Sequence, residues 1–253
     1  MSKLPKAHKF IDLSDYGRPI AKQIAISLQH TRFTPIHVTI AFVVSGLIAA
    51  FCIIQQQYVF AAFFLILKSI LDAADGELAR VKNTPSYTGR YLDSVSDIIL
   101  NAIFLLAIFQ ITPTSIWLVL LAFIAIQLQG TLYNYYYVIL RNRHNGDTTS
   151  RVFEENTPTA LKGETQGSVN ILFRIYKILY GAFDKAIYFL DEKAATGKTL
   201  PSYMMTLLSV FGLGFQLLMI AVLLVLGLKD YIILYFISTS ILILAFIAFR
   251  KLL

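Results

Sequence analysis

Six apolar segments, each long enough to cross a lipid bilayer, constrain this chain more than any other feature of its sequence. A transmembrane helix takes about 20 consecutive, mostly apolar residues, and 57% of the 253 residues are hydrophobic. The predicted spans are residues 36–54, 58–82, 89–112, 114–139, 204–228 and 230–249. We therefore expect an all-α, polytopic membrane protein with six transmembrane helices.

Short connectors and the distribution of basic residues predict how the chain lies in the membrane. The connectors QQQ (55–57), TPT (112–114) and LKD (228–230) are so short that each must join two antiparallel helices. With a cytoplasmic N-terminus, all of the 22 lysines and arginines except Lys68 and Lys229 lie in or next to inner segments. This bias predicts that both termini are cytoplasmic. It also explains the net charge of +7 as a basic cytoplasmic face rather than a nucleic-acid site.

A segment before the first span is expected to lie on the membrane surface. Residues 19–30 begin with Pro19, which suits the first turn of a helix. Apolar residues then recur at helical spacing, at Ile20, Ile24 and Leu28. We interpret this segment as a short interfacial helix on the inner surface.

The segment between spans four and five, residues 141–203, is predicted to be a cytoplasmic insertion. Its first half is polar, and its second half is apolar but interrupted by charge. The interrupting residues are Arg174, Lys177, Asp184 and Lys185. An interfacial helix or helical hairpin is favoured over a seventh span, which would place Arg250 and Lys251 outside. The chain thus divides into a cytoplasmic N-terminal segment, 1–33, and one membrane domain, 34–253.

Four aspartates are concentrated where spans two and three approach the cytoplasm. Asp72 and Asp75 are three residues apart, Asp93 and Asp97 are four apart, and each pair shares a helix face. The short connector makes the two helices neighbours, so the acidic faces can meet below the membrane surface. Ionised groups there are costly without partners. We therefore predict a divalent metal site of Mg²⁺, Mn²⁺ or Ca²⁺, with two ions, rather than a purely structural ion-pair network or a zinc site.

Small residues beside the aspartates leave room for a ligand. Gly76 follows Asp75, Gly89 lies one turn before Asp93, and Ala79 faces the same way as the first two aspartates. Arg80 can donate to a phosphate oxygen. Metal ions with space for a phosphate predict phosphoryl chemistry.

The acidic residues and their small neighbours form one motif, which resembles the signature of the CDP-alcohol phosphotransferase (CDP-alcohol phosphatidyltransferase) family. The motif reads Asp72-x-x-Asp75-Gly76-x-x-Ala79-Arg80, then eight residues, Gly89, three residues, Asp93, three residues and Asp97. Eight positions match over 26 residues. The six spans and the preceding surface helix resemble that family as well. Residues 141–203 are the part that the resemblance covers least.

The resemblance implies a reaction and a role for each motif residue. An acceptor hydroxyl would attack the β-phosphorus of a CDP-linked lipid or CDP-alcohol, and CMP would leave. Asp72, Asp75, Asp93 and Asp97 would be metal ligands, and Asp97 would also be the catalytic base. The nucleotide would be bound by Gly76, Ala79, Arg80 and Gly89. Homodimers are common in the family, and a homodimer is expected on that basis alone.

One departure from the family pattern concerns the start of the first span. The family often has Thr-Pro-Asn there, whereas this chain has Thr34, Pro35 and Ile36. We still expect Thr34 to help bind the nucleotide.

The acceptor pocket is expected to use polar residues that remain within the spans. Lys68 lies one turn above Asp72, and Asn101 lies one turn beyond Asp97. Polar residues of span four are equally consistent with lining the pocket and with interhelical hydrogen bonds. These residues are Gln127, Gln129 and Asn134.

A phosphorylated acceptor would require an arginine cluster. Arg141, Arg143 and Arg151 follow span four and could supply one, although positive-inside anchoring is the favoured role for them. The sequence leaves the identity of the acceptor open.

Two other functions compete with the family assignment. A UbiA-type membrane prenyltransferase also holds a diphosphate with aspartates and Mg²⁺, but it carries two separated acidic motifs, and residues 114–253 hold no second set. A divalent-cation transporter needs a polar path across the whole membrane. The outer halves of spans two and three, 58–67 and 102–110, are almost purely apolar.

Overall fold

The computed structural model describes residues 9–144 and 156–253, together with Leu4 and Glu154. Throughout these residues the regular structure is helical. The helices are α1 (Arg18–Leu28), α2 (Pro35–Ile54), α3 (Tyr58–Val81), α4 (Tyr87–Gln110), α5 (Ile116–Arg143), α6 (Gln166–Leu190), α7 (Ser202–Leu208), α8 (Leu213–Val225), α9 (Ile232–Thr239) and α10 (Ile241–Leu252). The all-α prediction is therefore confirmed for the described part of the chain.

Within the described residues, four helical segments are long and apolar enough to cross a membrane. They are Pro35–Ile54, Tyr87–Gln110, Ile116–Arg143 and Lys229–Leu252, and the bent pair formed by α7 and α8 makes a fifth if it counts as one span. Helix α3 has 24 residues but carries Lys68, Asp72 and Asp75. Its crossing of the membrane, and hence the count of six spans, stays a prediction.

Polar caps and tight connectors set the helix boundaries near the site. Thr34 caps α2 ahead of Pro35, and Ser86 caps α4 by accepting a hydrogen bond from Gly89 N at 2.8 Å. Helix α2 packs against both α3 and α4. The apolar core between these helices includes Phe42, Leu65, Leu100, Phe104 and Leu217.

The predicted fifth span is broken rather than continuous. A 3₁₀ turn, Ser209–Phe211, separates α7 from α8, and the chain bends by 54° at Gly212. The N-terminal segment occupies the bend: a Cβ at Gly214 would lie 2.0 Å from Ser14 O, and one at Gly212 would lie 2.3 Å from Ser14 Oγ. Only glycine permits this close approach, and the approach leaves no room for a straight helix.

The apolar half of the insertion is one continuous helix, α6. Near its start, Phe173 contacts Tyr91, which is close to the beginning of α4. Just after its end, Asp191 accepts a hydrogen bond from Tyr136, near the end of α5. The beginning of α4 and the end of α5 lie on the same side, because the two helices are antiparallel. Both ends of α6 therefore contact the same end of the α4–α5 pair, and the position of α6 on the membrane surface stays a prediction.

Helix α1 matches the predicted surface helix in length and register. Ala21 and Ala25 are fully buried, and they pack with Ala74 and Leu78 of α3. Ile20 and Ile26 are exposed. The helix is present, and its position on the membrane surface stays a prediction.

Candidate active site

Three of the four predicted metal ligands converge between α3 and α4. Asp72, Asp75 and Asp93 each offer a carboxylate oxygen, and these oxygens lie within 4.8 Å of one another. We call these three residues the acidic cluster. Asp93 Oδ1 is buried and has no hydrogen-bond partner among the described residues. A buried carboxylate oxygen without a partner is costly, and this atom is therefore available to a ligand.

A threonine on α2 orients one member of the acidic cluster. Thr39 Oγ1 donates a hydrogen bond of 2.6 Å to Asp75 Oδ2, and both residues are buried. Partners of this kind hold metal-ligating carboxylates in place. Sequence reasoning missed Thr39, since no feature of the motif indicates which turn of α2 faces Asp75.

Asp97 is not part of the acidic cluster, and it pairs with Lys68. The Lys68 ammonium contacts Asp97 Oδ1 and donates to Asp72 Oδ2 at 2.7 Å. Lys68 is only 1% exposed. The structure thus brings Lys68 to the acidic cluster itself.

The residues predicted to bind nucleotide fall into two groups. Gly76 and Arg80 lie together, since a Cβ at Gly76 would be 3.6 Å from the Arg80 guanidinium nitrogens. Arg80 pairs with Glu77 at 3.0 Å, while its Nε is buried and has no hydrogen-bond partner in the described part of the chain. Ala79 is on the same helix, and Gly89 begins α4 beside Ser86. Thr34 caps α2 and contacts His37 at 2.6 Å in an exposed position.

A polar cavity of about 320 Å³ opens beside the acidic cluster. Its lining includes Asp72, Asp93 and Asp97 on one side. Among the described residues that line it are six aspartates and a single arginine. The aspartates are Asp12, Asp15, Asp72, Asp93, Asp97 and Asp184.

The structure separates the residues predicted for the acceptor pocket. Asn101 and Arg141 line the polar cavity, and Arg141 is only 6% exposed. Arg143 is not among the lining residues; its guanidinium donates to the carbonyl oxygens of Ala194 and Ala195, the latter at 2.7 Å. These contacts attach the end of α5 to the segment after α6, and an acceptor role for Arg143 stays a prediction. Arg151 lies outside the described residues.

The amide side chains of α5 were predicted either to line the pocket or to form interhelical hydrogen bonds, and the structure shows examples of both arrangements. Gln127 lines the polar cavity, and its Nε2 is buried without a hydrogen-bond partner among the described residues. One turn later, Thr131 Oγ1 is likewise buried and has no hydrogen-bond partner among the described residues. Gln129, by contrast, donates to Phe236 O of α9 at 3.0 Å. Asn134 lines the cavity.

Four tyrosines line the side of the cavity that α5 and α6 form. We call this group the tyrosine wall: Tyr133, Tyr137, Tyr176 and Tyr180. The rings of Tyr176 and Tyr180 stack with centroids 5.1 Å apart, and Tyr180 donates to Ser94 O at 3.0 Å. Asp184 follows one turn later on α6, and burial raises the pKa of its carboxyl to about 6.

The N-terminal segment closes the cavity. Asp12, Ser14 and Asp15 line it, and Tyr133 donates to Asp12 Oδ2 at 2.5 Å. This contribution was not predicted. The only signal in the sequence is the Gly212-x-Gly214 spacing, whose glycines admit Ser14.

The insertion contacts the start of α4 through two glutamates. Glu164 accepts hydrogen bonds from Ser86 Oγ at 2.8 Å and Thr88 N at 2.6 Å. Burial opposes ionisation of Glu164, but the hydrogen bonds from Thr88 and Ser86 outweigh it and lower the pKa of the carboxyl. Glu154 pairs with Arg90 and accepts from Tyr91 OH at 2.6 Å. These contacts attach the insertion to the helix that carries Asp93.

The sequence profile of the CDP-alcohol phosphatidyltransferase family matches residues 32–161, just over half of the chain. The chain belongs to this family. The prediction from the aspartate motif is thereby confirmed. A search of curated proteins finds no match to the chain.

Family membership identifies the chain as a membrane transferase of phosphate-containing groups and decides against the prenyltransferase and transporter alternatives. The family depends on a divalent metal and uses a CDP-alcohol donor with a hydroxyl acceptor. The acidic cluster fits such an ion, because its three carboxylates converge and Asp93 Oδ1 is buried without a partner. All-oxygen ligands suit Mg²⁺ or Mn²⁺.

Proposed function

We propose that this protein transfers a phosphatidyl group from CDP-diacylglycerol to an acceptor hydroxyl in phospholipid biosynthesis, with release of CMP. The observation that carries the proposal is the position of the acidic cluster at the edge of the polar cavity. A diphosphate at the cluster can meet an acceptor in the cavity without leaving the protein.

Asp72, Asp75 and Asp93 would hold Mg²⁺ or Mn²⁺. The bound ion would neutralise diphosphate charge and stabilise the leaving CMP. Gly76, Ala79 and Gly89 leave space for the nucleotide, and the unpartnered Nε of Arg80 supports a contact with a phosphate oxygen. Thr34 would contribute only if the nucleotide extends to the exposed start of α2.

Asp97 would receive the acceptor proton. The acceptor oxygen forms the new bond to the β-phosphorus, and the bond from that phosphorus to the bridging oxygen breaks. CMP leaves with the electron pair, and the hydroxyl proton passes to the Asp97 carboxylate. Asp97 and Asn101 line the cavity one turn apart, which supports binding of the acceptor between them.

The charge of the cavity favours an acceptor that carries no phosphate. Six aspartates face a single arginine, Arg141, among the described lining residues. A divalent ion and Lys68 do not fully offset this excess of negative charge, and a second phosphate would be repelled. The partnerless amide of Gln127 and the hydroxyl of Thr131 would instead donate to a neutral or cationic hydroxyl compound.

We propose that the active site faces the cytoplasm and that both termini are cytoplasmic, which the distribution of basic residues supports. Interfacial helices α1 and α6 would then lie on the cytoplasmic side. A homodimer is proposed from the family resemblance, with membrane lipid as the surrounding medium and no nucleic-acid partner.

The test is an assay of CMP release by purified protein in detergent with Mn²⁺ and labelled CDP-diacylglycerol. The acceptors are serine, inositol, choline and ethanolamine, set against inositol phosphate and glycerol phosphate. We expect turnover with an acceptor of the first group and little with the second. If no CMP is released with any of these acceptors, nor from CDP-choline or CDP-ethanolamine with diacylglycerol, the transfer reaction is rejected. Turnover confined to the phosphorylated pair would reject only the argument from cavity charge.

A further inference from the structure

Two buried polar side chains of α5 indicate that the polar cavity takes a ligand. Gln127 is 4% exposed and Thr131 is 8% exposed, and both line the cavity. Gln127 Nε2 and Thr131 Oγ1 have no hydrogen-bond partner among the described residues. A buried donor without a partner costs free energy, so such groups are satisfied by water or by a ligand. A cavity of about 320 Å³ has room for a small polar molecule.

The cavity also contains the carboxylate of Asp184 on α6. Asp184 accepts from Tyr176 OH at 3.3 Å, and no lysine or arginine of the described residues pairs with it. Arg90 pairs instead with Glu154. A pKa of about 6 leaves the Asp184 carboxyl mostly ionised at neutral pH. Other aspartates of the cavity contact a cation of the protein, namely Asp15, Asp72 and Asp97. A cationic ligand would supply the counter-ion that Asp184 lacks in the described part of the chain.

The tyrosine wall supplies aromatic faces beside this carboxylate. Tyr176 and Tyr180 stack with an interplanar angle of 20°, and both line the cavity with Asp184. On α5, the guanidinium of Arg141 lies 5.6 Å from the ring centre of Tyr137, so that part of the wall already holds a cation. No described lysine or arginine lies over the rings of Tyr176 or Tyr180. Because aromatic faces attract ammonium groups, the α6 half of the wall and Asp184 have the composition of a cation site.

This part of α6 lies against the turn of α4 that carries the proposed base. Tyr180 OH donates to Ser94 O at 3.0 Å. Ser94 stands between Asp93 and Asp97 in the sequence. Asp97 and Asn101 line the same cavity as Tyr180. A small molecule in this cavity can therefore present a hydroxyl to Asp97 and an ammonium group to α6.

We propose that the cavity selects an acceptor alcohol that carries a cationic amine, with Asp184 as the counter-ion and Tyr176 and Tyr180 as the aromatic contacts of the ammonium group. The partnerless donor of Gln127 would contact the acceptor oxygen. The inference rests on the proposed function and narrows its acceptor from a neutral or cationic compound to a cationic one. The hydroxyl remains the nucleophile, so the bonds that form and break are those of the proposed transfer. Asp184 determines specificity and takes no part in the chemical step.

The experiment compares acceptors in matched pairs that differ in the ammonium group, with the full chain in detergent, Mn²⁺ and CDP-diacylglycerol. The pairs are choline with its tert-butyl analogue, ethanolamine with propanol, and serine with its deaminated analogue. At least one cationic acceptor should show a kcat/KM for CMP release about 10- to 100-fold above that of its uncharged or deaminated partner. Inositol, which is neutral, should be a poorer acceptor than that compound.

Substitutions on α6 test whether Asp184 causes this preference. Asp184→Asn removes the counter-ion and should remove most of the preference, while the kcat/KM of the analogue without the ammonium group stays the same. Asp184→Glu keeps the charge and should retain the preference. Glu192→Gln is the matched control and should also retain it, because Glu192 is exposed just after the end of α6 and does not line the cavity.

The possible outcomes separate this inference from the proposed function. Turnover with inositol alone, equal kcat/KM within every pair, or a preference that persists in Asp184→Asn would overturn the inference and leave the transfer reaction standing. If Asp184→Asn does not fold, the comparison within pairs on the wild type decides. If no acceptor supports CMP release, equilibrium dialysis of labelled choline, ethanolamine and serine with Mn²⁺ and CDP decides. Binding that Asp184→Asn abolishes would then reject only the transfer reaction, and absence of binding would reject both.

Discussion

The acidic cluster and the tyrosine wall line one cavity, but they differ in how far the family profile covers them. The cluster comes from α3 and α4, within the 32–161 region that matches the family profile. The tyrosine wall comes from α5 and α6, and its α6 half lies outside that region. The difference separates the carboxylates of the family motif from the cavity lining outside it, and we propose that this lining selects the acceptor.

The largest effect should come from breaking the acidic cluster. Asp93→Asn removes a carboxylate and should lower CMP release about 1000-fold with every acceptor, equivalent to about 4 kcal/mol of lost transition-state stabilisation. Mn²⁺ binding should be lost in parallel. Asp230→Asn, on the exposed connector before α9, is the control and should leave both unchanged. An Asp93→Asn protein that keeps full turnover would remove the cluster from the chemistry.

A smaller effect on the same side should follow from Thr39. Thr39→Val keeps the shape but removes the hydrogen bond to Asp75, and it should weaken Mn²⁺ binding about 10- to 100-fold. Thr39→Ser retains the hydroxyl and should stay near the wild type. Titration with Mn²⁺ measures both. Equal affinities for the valine and serine variants would mean that Thr39 does not orient Asp75.

The third prediction compares two glutamines of α5, one that lines the cavity and one that holds helices together. Gln127→Leu removes the unpartnered donor and should raise the KM for a polar acceptor about tenfold while the KM for the CDP donor stays constant. Gln129→Leu should leave both KM values unchanged and lower the free energy of unfolding by about 1 kcal/mol, since the hydrogen bond from Gln129 Nε2 to Phe236 O is lost. If Gln129→Leu raises the KM for the acceptor and Gln127→Leu does not, the prediction that Gln127 contacts the acceptor is wrong.

The smallest effect concerns the pH dependence of stability at the tyrosine wall. Burial raises the pKa of Asp184 to about 6, so ionisation is harder in the folded chain than in the unfolded one. The contribution of Asp184 to stability is present below pH 4 and is lost as the pH rises to about 6. The Tm of the wild type should therefore fall over this range by more than that of Asp184→Asn. Parallel Tm curves would show that Asp184 is ionised as readily in the fold as in water.

Much of the helical structure around the site could be predicted, because it depends on residues close together in the sequence. Apolar length predicted the helices. The three- and four-residue spacings predicted that all four aspartates would meet, and the structure groups Asp72, Asp75 and Asp93. Lys68 was correctly expected near Asp72 by its position one turn away, but its pairing with Asp97 depends on how α3 and α4 approach each other. The contacts of Arg143 could not be predicted, because its partners, Ala194 and Ala195, are some fifty positions further along the chain.

The sequence by itself determined that this chain is helical, apolar enough for a bilayer, and equipped with a family motif whose carboxylates suit a divalent ion. Only the tertiary structure decided that Asp97 pairs with Lys68, that Thr39 supports Asp75, and that the N-terminal segment enters the bend at Gly212. The physical reason is the range of the interactions. Helix periodicity and transfer free energy act over a few residues, whereas a hydrogen bond such as Leu13 N to Ser209 Oγ, 196 positions apart, exists only after packing.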